Sequence, residues 1–303
     1  MSFKLLSYVA KSGTAPRSGI LVGDQIVDCA TVGHGKADGV DFTSTLSILQ
    51  SWDRARPVLE GGSKQTSGAV SLSSVKLAAP ILYPTNIFCA AANYQDHFRE
   101  MTGKDVDKSK LNPYFFNKVA RQTVIGSGEA IRKPNFTQKL DWEAEIVAVI
   151  GKRVRNVTAA KALDYVMGYM IINDLSARDF LRRNDWPALA SDWLWQKSFD
   201  TSAPMGPWIT LKDDIEDPQN LKINTWVNDT LEQDTHSKWM VFSIAEQIEA
   251  LSEHMTLMPG DVIATGTGGG VGNPKGKFLK PGDICRIEIE GLGEISNPVV
   301  AGE

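Results

Sequence analysis

Cysteine and long apolar runs are scarce in this sequence, and each scarcity excludes a class of protein. The 303 residues include three cysteines, Cys29, Cys89 and Cys285, which are far apart. An odd number of cysteines without CxxC spacing does not fit a disulfide framework or a cysteine-ligated zinc site, so we expect reduced, mostly buried thiols. No segment has the length and apolarity of a membrane span, and the N-terminus lacks the apolar core of a signal peptide. We therefore expect a cytoplasmic protein that does not enter membranes.

Charge of one sign is not concentrated anywhere in the chain. The sequence has 32 lysines and arginines against 36 aspartates and glutamates, a net charge of −4, without long runs of either sign. Nucleic acid and anionic membranes attract strongly basic surfaces, so neither is expected as a partner. A hydrophobic content of 42% over this length is enough for a large core, in one domain or in a large and a small one.

The order of predicted elements indicates two parts with a boundary near residue 80. Residues 1–80 begin with a strand, continue with a hairpin around Gly23 and contain a helix, which indicates a small α+β domain. Residues 81–303 carry many short strands and few helices, one of which follows a capping box of Ser243 with Glu246. A strand-rich pattern of this kind favours a closed or rolled β architecture over a doubly wound sheet.

Residues 141–151, DWEAEIVAVIG, predict a strand with two acidic residues at its head. An apolar, β-branched run follows the glutamates, and a glycine closes it. Because side chains alternate between the two faces of a strand, Glu143 and Glu145 point the same way. A buried pair of carboxylates needs a proton or a cation between them. The alternative is an edge strand that carries both acids on its solvent face, and the pattern alone leaves this open.

A second apolar strand, residues 169–173, also ends in an acid, Asp174. Together with Glu143 and Glu145 it would offer carboxylate oxygens with no histidine or cysteine among them. Such a donor set suits a hard cation such as Mg2+, Mn2+ or Ca2+ better than zinc. The three acids are therefore the predicted metal ligands.

The sequence has only four histidines, which narrows the choice of a general base. His97 and Glu100 are three residues apart, so on a helical turn they share a face and can hydrogen-bond. A carboxylate that orients an imidazole and raises its basicity is a usual way to activate water. An ordinary surface pair is the alternative. The polar stretch 102–110 that follows is typical of a mobile loop over a site.

Two lysines and a glycine-rich segment are further candidates. Lys118 and Lys197 lie among aromatic and apolar neighbours, either as surface lysines whose stems cover apolar groups or as cations that hold an acidic substrate. Residues 266–272, GTGGGVG, lack the Gly-Lys-Ser/Thr ending of a phosphate loop, and no clear helix follows them. Their glycine density instead suits a backbone that passes close to a ligand.

Five blocks of sequence resemble the fumarylacetoacetate hydrolase superfamily in their order and spacing, which run through residues 86–300. The blocks are NYxDHxxE (93–100), DWExE with the apolar strand and GKR (141–153), DYVxGY and NDxSARD (164–179), KSFD (197–200) and PGDVIxTGTxxGVG (259–272). Two departures stand out. The family's TGTP is here Thr265–Gly268, which loosens that loop, and Phe180-Leu181 replaces a glutamine of many members, which predicts a more apolar pocket.

The resemblance implies a fold, an assembly and a cofactor. The family's main domain is a mixed β-roll that follows a small N-terminal domain, so the expected fold class is α+β, mainly β. Members are usually homodimers. A divalent metal, Mg2+ first among the candidates, is held by the residues that match Glu143, Glu145 and Asp174.

The resemblance also implies an activity, the hydrolysis of a carbon–carbon bond in a 3-acylpyruvate or similar 2,4-diketo acid. His97, oriented by Glu100, would activate water, and cleavage would release an enolate. Lys197 would stabilise the oxyanion, while Lys118, Arg178 and Thr267 would bind the substrate. The same superfamily contains oxaloacetate decarboxylases and 2-hydroxy-dienoate isomerases and hydratases, which are the alternatives. A non-catalytic protein that binds a 2-oxo acid is a further alternative.

Overall fold

The computed structural model describes residues 2–10, 13, 15–64, 67–183, 185–186, 188 and 191–302. Within them the strands are β1 (Lys4–Ala10), β2 (Arg17–Val22), β3 (Gln25–Asp28), β4 (Val70–Ser71), β5 (Val75–Ala78), β6 (Ile87–Ala91), β7 (Tyr114–Lys118), β8 (Val124–Ile125), β9 (Ile131–Lys133), β10 (Leu140–Asp141), β11 (Ala144–Ile150), β12 (Val166–Asn173), β13 (Ser176–Ala177), β14 (Ala203–Leu211), β15 (Lys222–Val227), β16 (Thr230–His236), β17 (Val262–Ala264), β18 (Ile284–Ile289) and β19 (Gly293–Ala301). The helices are α1 (Cys29–Gly33), α2 (Thr45–Gln50), α3 (Trp52–Gly62), α4 (Gln95–Thr102), α5 (Ala120–Thr123), α6 (Ala159–Ala162), α7 (Trp193–Lys197) and α8 (Ile244–His254). None of the helices in this part of the chain combines the length and the apolarity that crossing a membrane requires.

Two sheets and a short two-stranded pair, β10 with β13, make up the β structure of these residues. The larger sheet has the order β4-β3-β2-β1-β14-β12-β11-β17-β6-β7, with β5 beside β1 and β8 beside β14. The smaller sheet has the order β16-β15-β18-β19-β9. Parallel pairs, such as β17 with β6, occur among antiparallel ones, so the sheets are mixed. The architecture is α+β and mainly β, as the sequence predicted.

Strand β11 lies at the centre of the larger sheet and is buried on both faces. Val147 and Val149 pack into a core with the N-terminal helices α2 and α3. Ile146 and Ala148 pack on the opposite side, in a core shared with the smaller sheet and α8. Full burial of a branched apolar side chain contributes roughly 1.5–3 kcal/mol, so this run holds the two layers together. The solvent-exposed edge strand that the sequence left open is excluded.

The local turn and cap predictions are confirmed. Gly23 joins β2 to β3 with a positive φ of 61°, the conformation that a two-residue hairpin turn requires. At α8 the Ser243 side chain accepts from the Glu246 N–H, and the Glu246 carboxylate accepts from the Ser243 N–H. All three cysteines are buried and free, as expected.

The N-terminal elements join the larger sheet through one strand. Strand β1 is antiparallel to β14, with Leu5 opposite Ile209, and it also pairs with β2 and β5. The aromatic ring of Trp52 packs against Phe3 at 6.5 Å between centroids, which brings α3 over the start of β1. The domain boundary near residue 80 stays a prediction.

Candidate metal centre and active site

The three predicted metal ligands meet because of the register between β11 and β12. Ala144 is opposite Asn173, so Glu143 and Asp174, the next residues outward, face each other across the pair. The Asp174 N–H donates to the Glu143 carbonyl over 2.9 Å and closes this end of the ladder. Glu145 is the second residue of β11. Each of the three residues has a carboxylate oxygen within 4.8 Å of the others', and all three side chains are buried.

Two buried lysines lie against this carboxylate cluster. The Lys197 Nζ is 2.6 Å from Glu143 Oε2 and 2.7 Å from Asp174 Oδ2. The Lys118 Nζ, at the end of β7, is 2.7 Å from the other oxygen of Asp174. Both lysines are almost fully buried, which excludes the surface-lysine alternative. Helix α7 carries Lys197 inward, and its Asp192 caps the helix by accepting from the Trp195 N–H.

Arg178 supplies a third cation, and both of its ion pairs go to protein carboxylates. Its Nε donates to Asp141 Oδ2 over 2.8 Å. Its Nη2 lies 2.6 Å from Glu143 Oε1, an ion pair without the alignment of a good hydrogen bond. Arg178 therefore holds Glu143 from the side opposite Lys197, and its predicted contact with substrate stays a prediction.

The two glutamates have opposite electrostatic environments. Burial alone would raise the pKa of Glu143, but the charges of Lys197 and Arg178 outweigh burial and lower it. Burial raises the pKa of Glu145 well above its usual value, and the charges of Asp174 and Glu143 raise it further. For Lys197, burial would lower the pKa, but the Asp174 and Glu143 carboxylates raise it. Lys197 is thus a fixed positive charge, while Glu145 is the carboxylate that most lacks a cation.

The donor set fits a divalent metal ion. Three buried carboxylates with ligand oxygens within 4.8 Å of one another, with no imidazole or thiolate among them, are the ligands that Mg2+ and Mn2+ prefer. A cation among them would also relieve the repulsion that raises the pKa of Glu145.

His97 and Glu100 lie on α4 as predicted, but the distance between them exceeds a hydrogen bond. His97 Nδ1 is 3.8 Å from Glu100 Oε2. Glu100 Oε2 instead accepts from the Gly270 N–H over 2.9 Å, so α4 is tied to the glycine-rich loop. His97 Nδ1 makes no hydrogen bond with the residues that the structure describes. A positive charge on the imidazole would add to those of Lys197 and Arg178 in lowering the pKa of the Glu143 carboxyl.

The glycine-rich loop lies against two residues of the acidic stretch, while its predicted approach to a bound ligand stays a prediction. The Gly266 N–H donates to Glu145 Oε2 over 2.7 Å, and the Thr267 hydroxyl donates to the Ala144 carbonyl over 2.9 Å. Gly270 has a φ of +98°, and a Cβ there would lie 2.3 Å from the Glu232 carbonyl oxygen. The loop is therefore packed against its neighbours, although the sequence departure at Gly268 indicated a looser one.

Sequence reasoning missed two residues beside the cluster. Asp141 is buried and accepts from the Gly272 and Asn273 N–H groups as well as from Arg178, so it joins the loop to the cation. Its signal was its place in the same acidic stretch as Glu143. The Phe116 ring lies 5.2 Å from Lys197 Nζ. Nothing in the sequence indicated that Phe116 and Lys197 lie close together.

Comparison with known proteins identifies the family of this chain. The family profile described as fumarylacetoacetate (FAA) hydrolase, C-terminal, matches residues 86–300. The chain is 36% identical over 304 residues to oxaloacetate tautomerase fahd2, mitochondrial, of Xenopus laevis, covering 99% of this chain and 91% of the relative. It is 41% identical over 269 residues to oxaloacetate tautomerase YisK of Bacillus subtilis, covering 87% and 84%. The solved structure of maleylpyruvate hydrolase from Sphingobium sp. SYK-6, in complex with manganese(II) ion and pyruvate, superposes with a TM-score of 0.78 at 28% identity, covering 99% and 100%. The chain belongs to the fumarylacetoacetate hydrolase family.

Proposed function

We propose that this protein is a divalent-metal-dependent enzyme that interconverts the keto and enol forms of oxaloacetate. The observation that carries the proposal is the buried cluster of Glu143, Glu145 and Asp174 with Lys197 between two of its carboxylates. Two relatives that match over most of their length are named oxaloacetate tautomerases, which supports this substrate. Mg2+ is the first candidate for the metal, and Mn2+ is the second.

The charges of the site favour an anionic substrate. With every group ionised, the carboxylates of Asp141, Glu143, Glu145 and Asp174 outnumber the cations Lys118, Lys197 and Arg178 by one. A divalent ion held by the three ligands would make the cluster positive, and it would supply a Lewis acid that binds the 2-oxo and carboxylate oxygens of a 2-oxo acid. A dicarboxylate such as oxaloacetate is therefore attracted to the site.

Tautomerisation needs a group that moves a proton at the carbon next to the 2-oxo group. His97 is the candidate, because its Nδ1 makes no hydrogen bond with the described residues and the Glu100 carboxylate lies 3.8 Å from it. Lys197, with its raised pKa, stays protonated and stabilises negative charge that develops on the 2-oxygen. Lys118 would orient a carboxylate of the substrate, whereas the Thr267 hydroxyl donates its proton to the Ala144 carbonyl, so its predicted substrate contact stays a prediction. In the reaction, the C3 proton passes to His97, the 2-oxygen takes a proton from water, and His97 returns its proton to water, so no proton is gained or lost overall.

Hydrolysis of an acylpyruvate is the second candidate, and the His97–Glu100 pair favours it. Closing the 3.8 Å gap between Nδ1 and the carboxylate would fix the imidazole as a base for water. The match to a maleylpyruvate hydrolase supports the same reaction class. Decarboxylation of oxaloacetate would use the same cluster. The products formed from each substrate distinguish it from tautomerisation and from acylpyruvate hydrolysis. The predicted homodimer belongs to the same proposal.

The test follows fresh enol-oxaloacetate with Mg2+, with Mn2+ and with EDTA. A tautomerase speeds the loss of enol absorbance above the buffer rate, and EDTA abolishes the effect, while total oxaloacetate stays constant in a malate dehydrogenase assay. Parallel reactions with acetylpyruvate and fumarylpyruvate measure the release of pyruvate.

Each outcome assigns the activity. Pyruvate from oxaloacetate would identify a decarboxylase, and pyruvate from an acylpyruvate without tautomerisation would identify a hydrolase. No acceleration with any of the three substrates, in protein that binds metal, would contradict the proposed activity and favour a binding protein.

A further inference from the structure

On one of its two sides, strand β11 lacks a neighbouring strand at Ala144, the residue between Glu143 and Glu145. On one side β12 pairs with it along its whole length, including Ala144 opposite Asn173. On the other side β17 covers only Val147–Val149. Beyond that point the chain of β17 continues as Thr265, whose N–H and hydroxyl both donate to the Ile146 carbonyl. The N–H and carbonyl of Ala144 on this edge therefore need partners other than a strand.

Two side chains supply these partners and close a ring. The Ala144 N–H donates to Gln233 Oε1 over 3.1 Å. Gln233 Nε2 donates to the Thr267 hydroxyl over 2.9 Å, and this hydroxyl donates to the Ala144 carbonyl over 2.9 Å. The hydroxyl thus accepts one bond and donates another, and the amide replaces the missing strand by presenting one acceptor and one donor. Gln233 is on β16 of the smaller sheet and is fully buried.

The Gln233 amide has no hydrogen-bonding capacity left over. Its oxygen also accepts from the Thr225 hydroxyl over 2.8 Å, and its nitrogen also donates to the Gly268 carbonyl over 3.1 Å. The Ala144 N–H on one side and the Gly268 carbonyl on the other determine which end of the amide is oxygen. A fully satisfied buried network of this kind holds its members in one arrangement.

The ring acts on the ligand residues on both sides of Ala144. Glu143 and Glu145 flank it directly, and the loop that carries Thr267 also donates the Gly266 N–H to Glu145 Oε2. We propose that Gln233 is a positioning residue of the metal centre, which fixes the spacing of the two glutamates and the place of Thr267. This rests on the proposed metal site. Partners behind metal ligands typically account for 10–100-fold in metal affinity.

The test measures the affinity of the full-length protein for Mn2+ by titration calorimetry, together with its thermal midpoint in EDTA. Gln233→Met keeps the length and volume of the side chain and opens the ring. The matched control is Thr225→Val, which removes a hydrogen bond to the same amide oxygen but leaves the ring closed. We expect Gln233→Met to weaken Mn2+ binding by 10-fold or more and Thr225→Val to change it by less than twofold. Both variants should lose thermal stability. The Mn2+ affinity therefore distinguishes a positioning role of Gln233 from a role in packing alone.

A second pair of variants, at Thr267, tests the positioning role without altering Gln233. Thr267→Val opens the ring and should weaken Mn2+ binding as Gln233→Met does, whereas Thr267→Ser keeps the hydroxyl and should restore it. Wild-type affinity in both Gln233→Met and Thr267→Val would overturn the positioning role and leave the metal site standing. A wild-type protein that binds no Mn2+ would overturn the metal site and this role with it.

Discussion

Replacing Glu143 or Glu145 by glutamine is expected to change the stability of the metal-free protein in opposite directions. The two residues belong to one carboxylate cluster and flank the same alanine, yet their neighbours differ. Glu143 has Lys197 and Arg178 within 2.6 Å, and these cations lower its pKa. Glu145 accepts the Gly266 N–H, and the charges of Asp174 and Glu143 add to burial in raising its pKa.

The magnitudes follow from these contacts. Glu143→Gln leaves two buried cations short of a partner, which costs about 3–5 kcal/mol of the free energy of unfolding. Two unit charges 4.8 Å apart, the limit of the ligand cluster, repel by about 3.5 kcal/mol at an effective dielectric constant of about 20. Lys197 offsets part of this repulsion at Glu145. Glu145→Gln, whose amide oxygen still accepts from Gly266, should therefore stabilise the metal-free protein by about 1–3 kcal/mol.

Urea denaturation in EDTA measures both changes, with the exposed Glu60→Gln as the control expected to stay within about 0.5 kcal/mol. Saturating Mn2+, at 100 times its Kd, should stabilise the wild type by about 2.7 kcal/mol. Both cluster variants should lose most of this gain, because each removes a ligand. Stability changes of the same sign in the two variants would refute the assignment of the cations to Glu143.

Three further substitutions test the site and the fold. Lys197→Met removes one buried cation from both Glu143 and Asp174, which keep only Arg178 and Lys118 respectively, so the metal-free unfolding free energy should fall by about 3–5 kcal/mol. An equal loss in the exposed control Lys152→Met would contradict this. His97→Ala should lower turnover about 10²–10⁴-fold while the Mn2+ Kd stays within twofold, and full turnover would remove His97 from the chemistry. Ser243→Ala opens the capping box of α8 and should cost about 1 kcal/mol in urea denaturation, with no effect on Mn2+ binding; an unchanged midpoint would show that the cap is dispensable.

Local elements were predictable because neighbouring residues determine them. The hairpin at Gly23 needs a residue that accepts a positive φ, and the α8 cap needs a hydroxyl and a carboxylate three positions apart. Helix α2 also begins with a local signal, because Ser44 caps it by accepting from the Ser47 N–H. No such signal identified which strands become neighbours.

The predicted ligands were visible as local anomalies, acids attached to apolar strands. A run such as Ile146–Ile150 is expected to be buried, so carboxylates one and three residues before it need an explanation wherever the strand lies. The predicted pairing of His97 with Glu100 was likewise local. Their 3.8 Å separation was not predictable, because Gly270 from a distant loop competes for the same carboxylate.

The sequence by itself determined the strand-rich class, the three acids and the rarity of groups that could act as bases. Tertiary structure decided what surrounds them. Lys118 and Lys197 reach the cluster because β7 and α7 pack beside the end of β12, and Asp141 reaches Arg178 through the β10–β13 pair. Gln233 fills an edge of β11 that only the finished sheet leaves open. Each of these contacts joins residues far apart in the chain, and strand order and register, not any local pattern, bring such residues together.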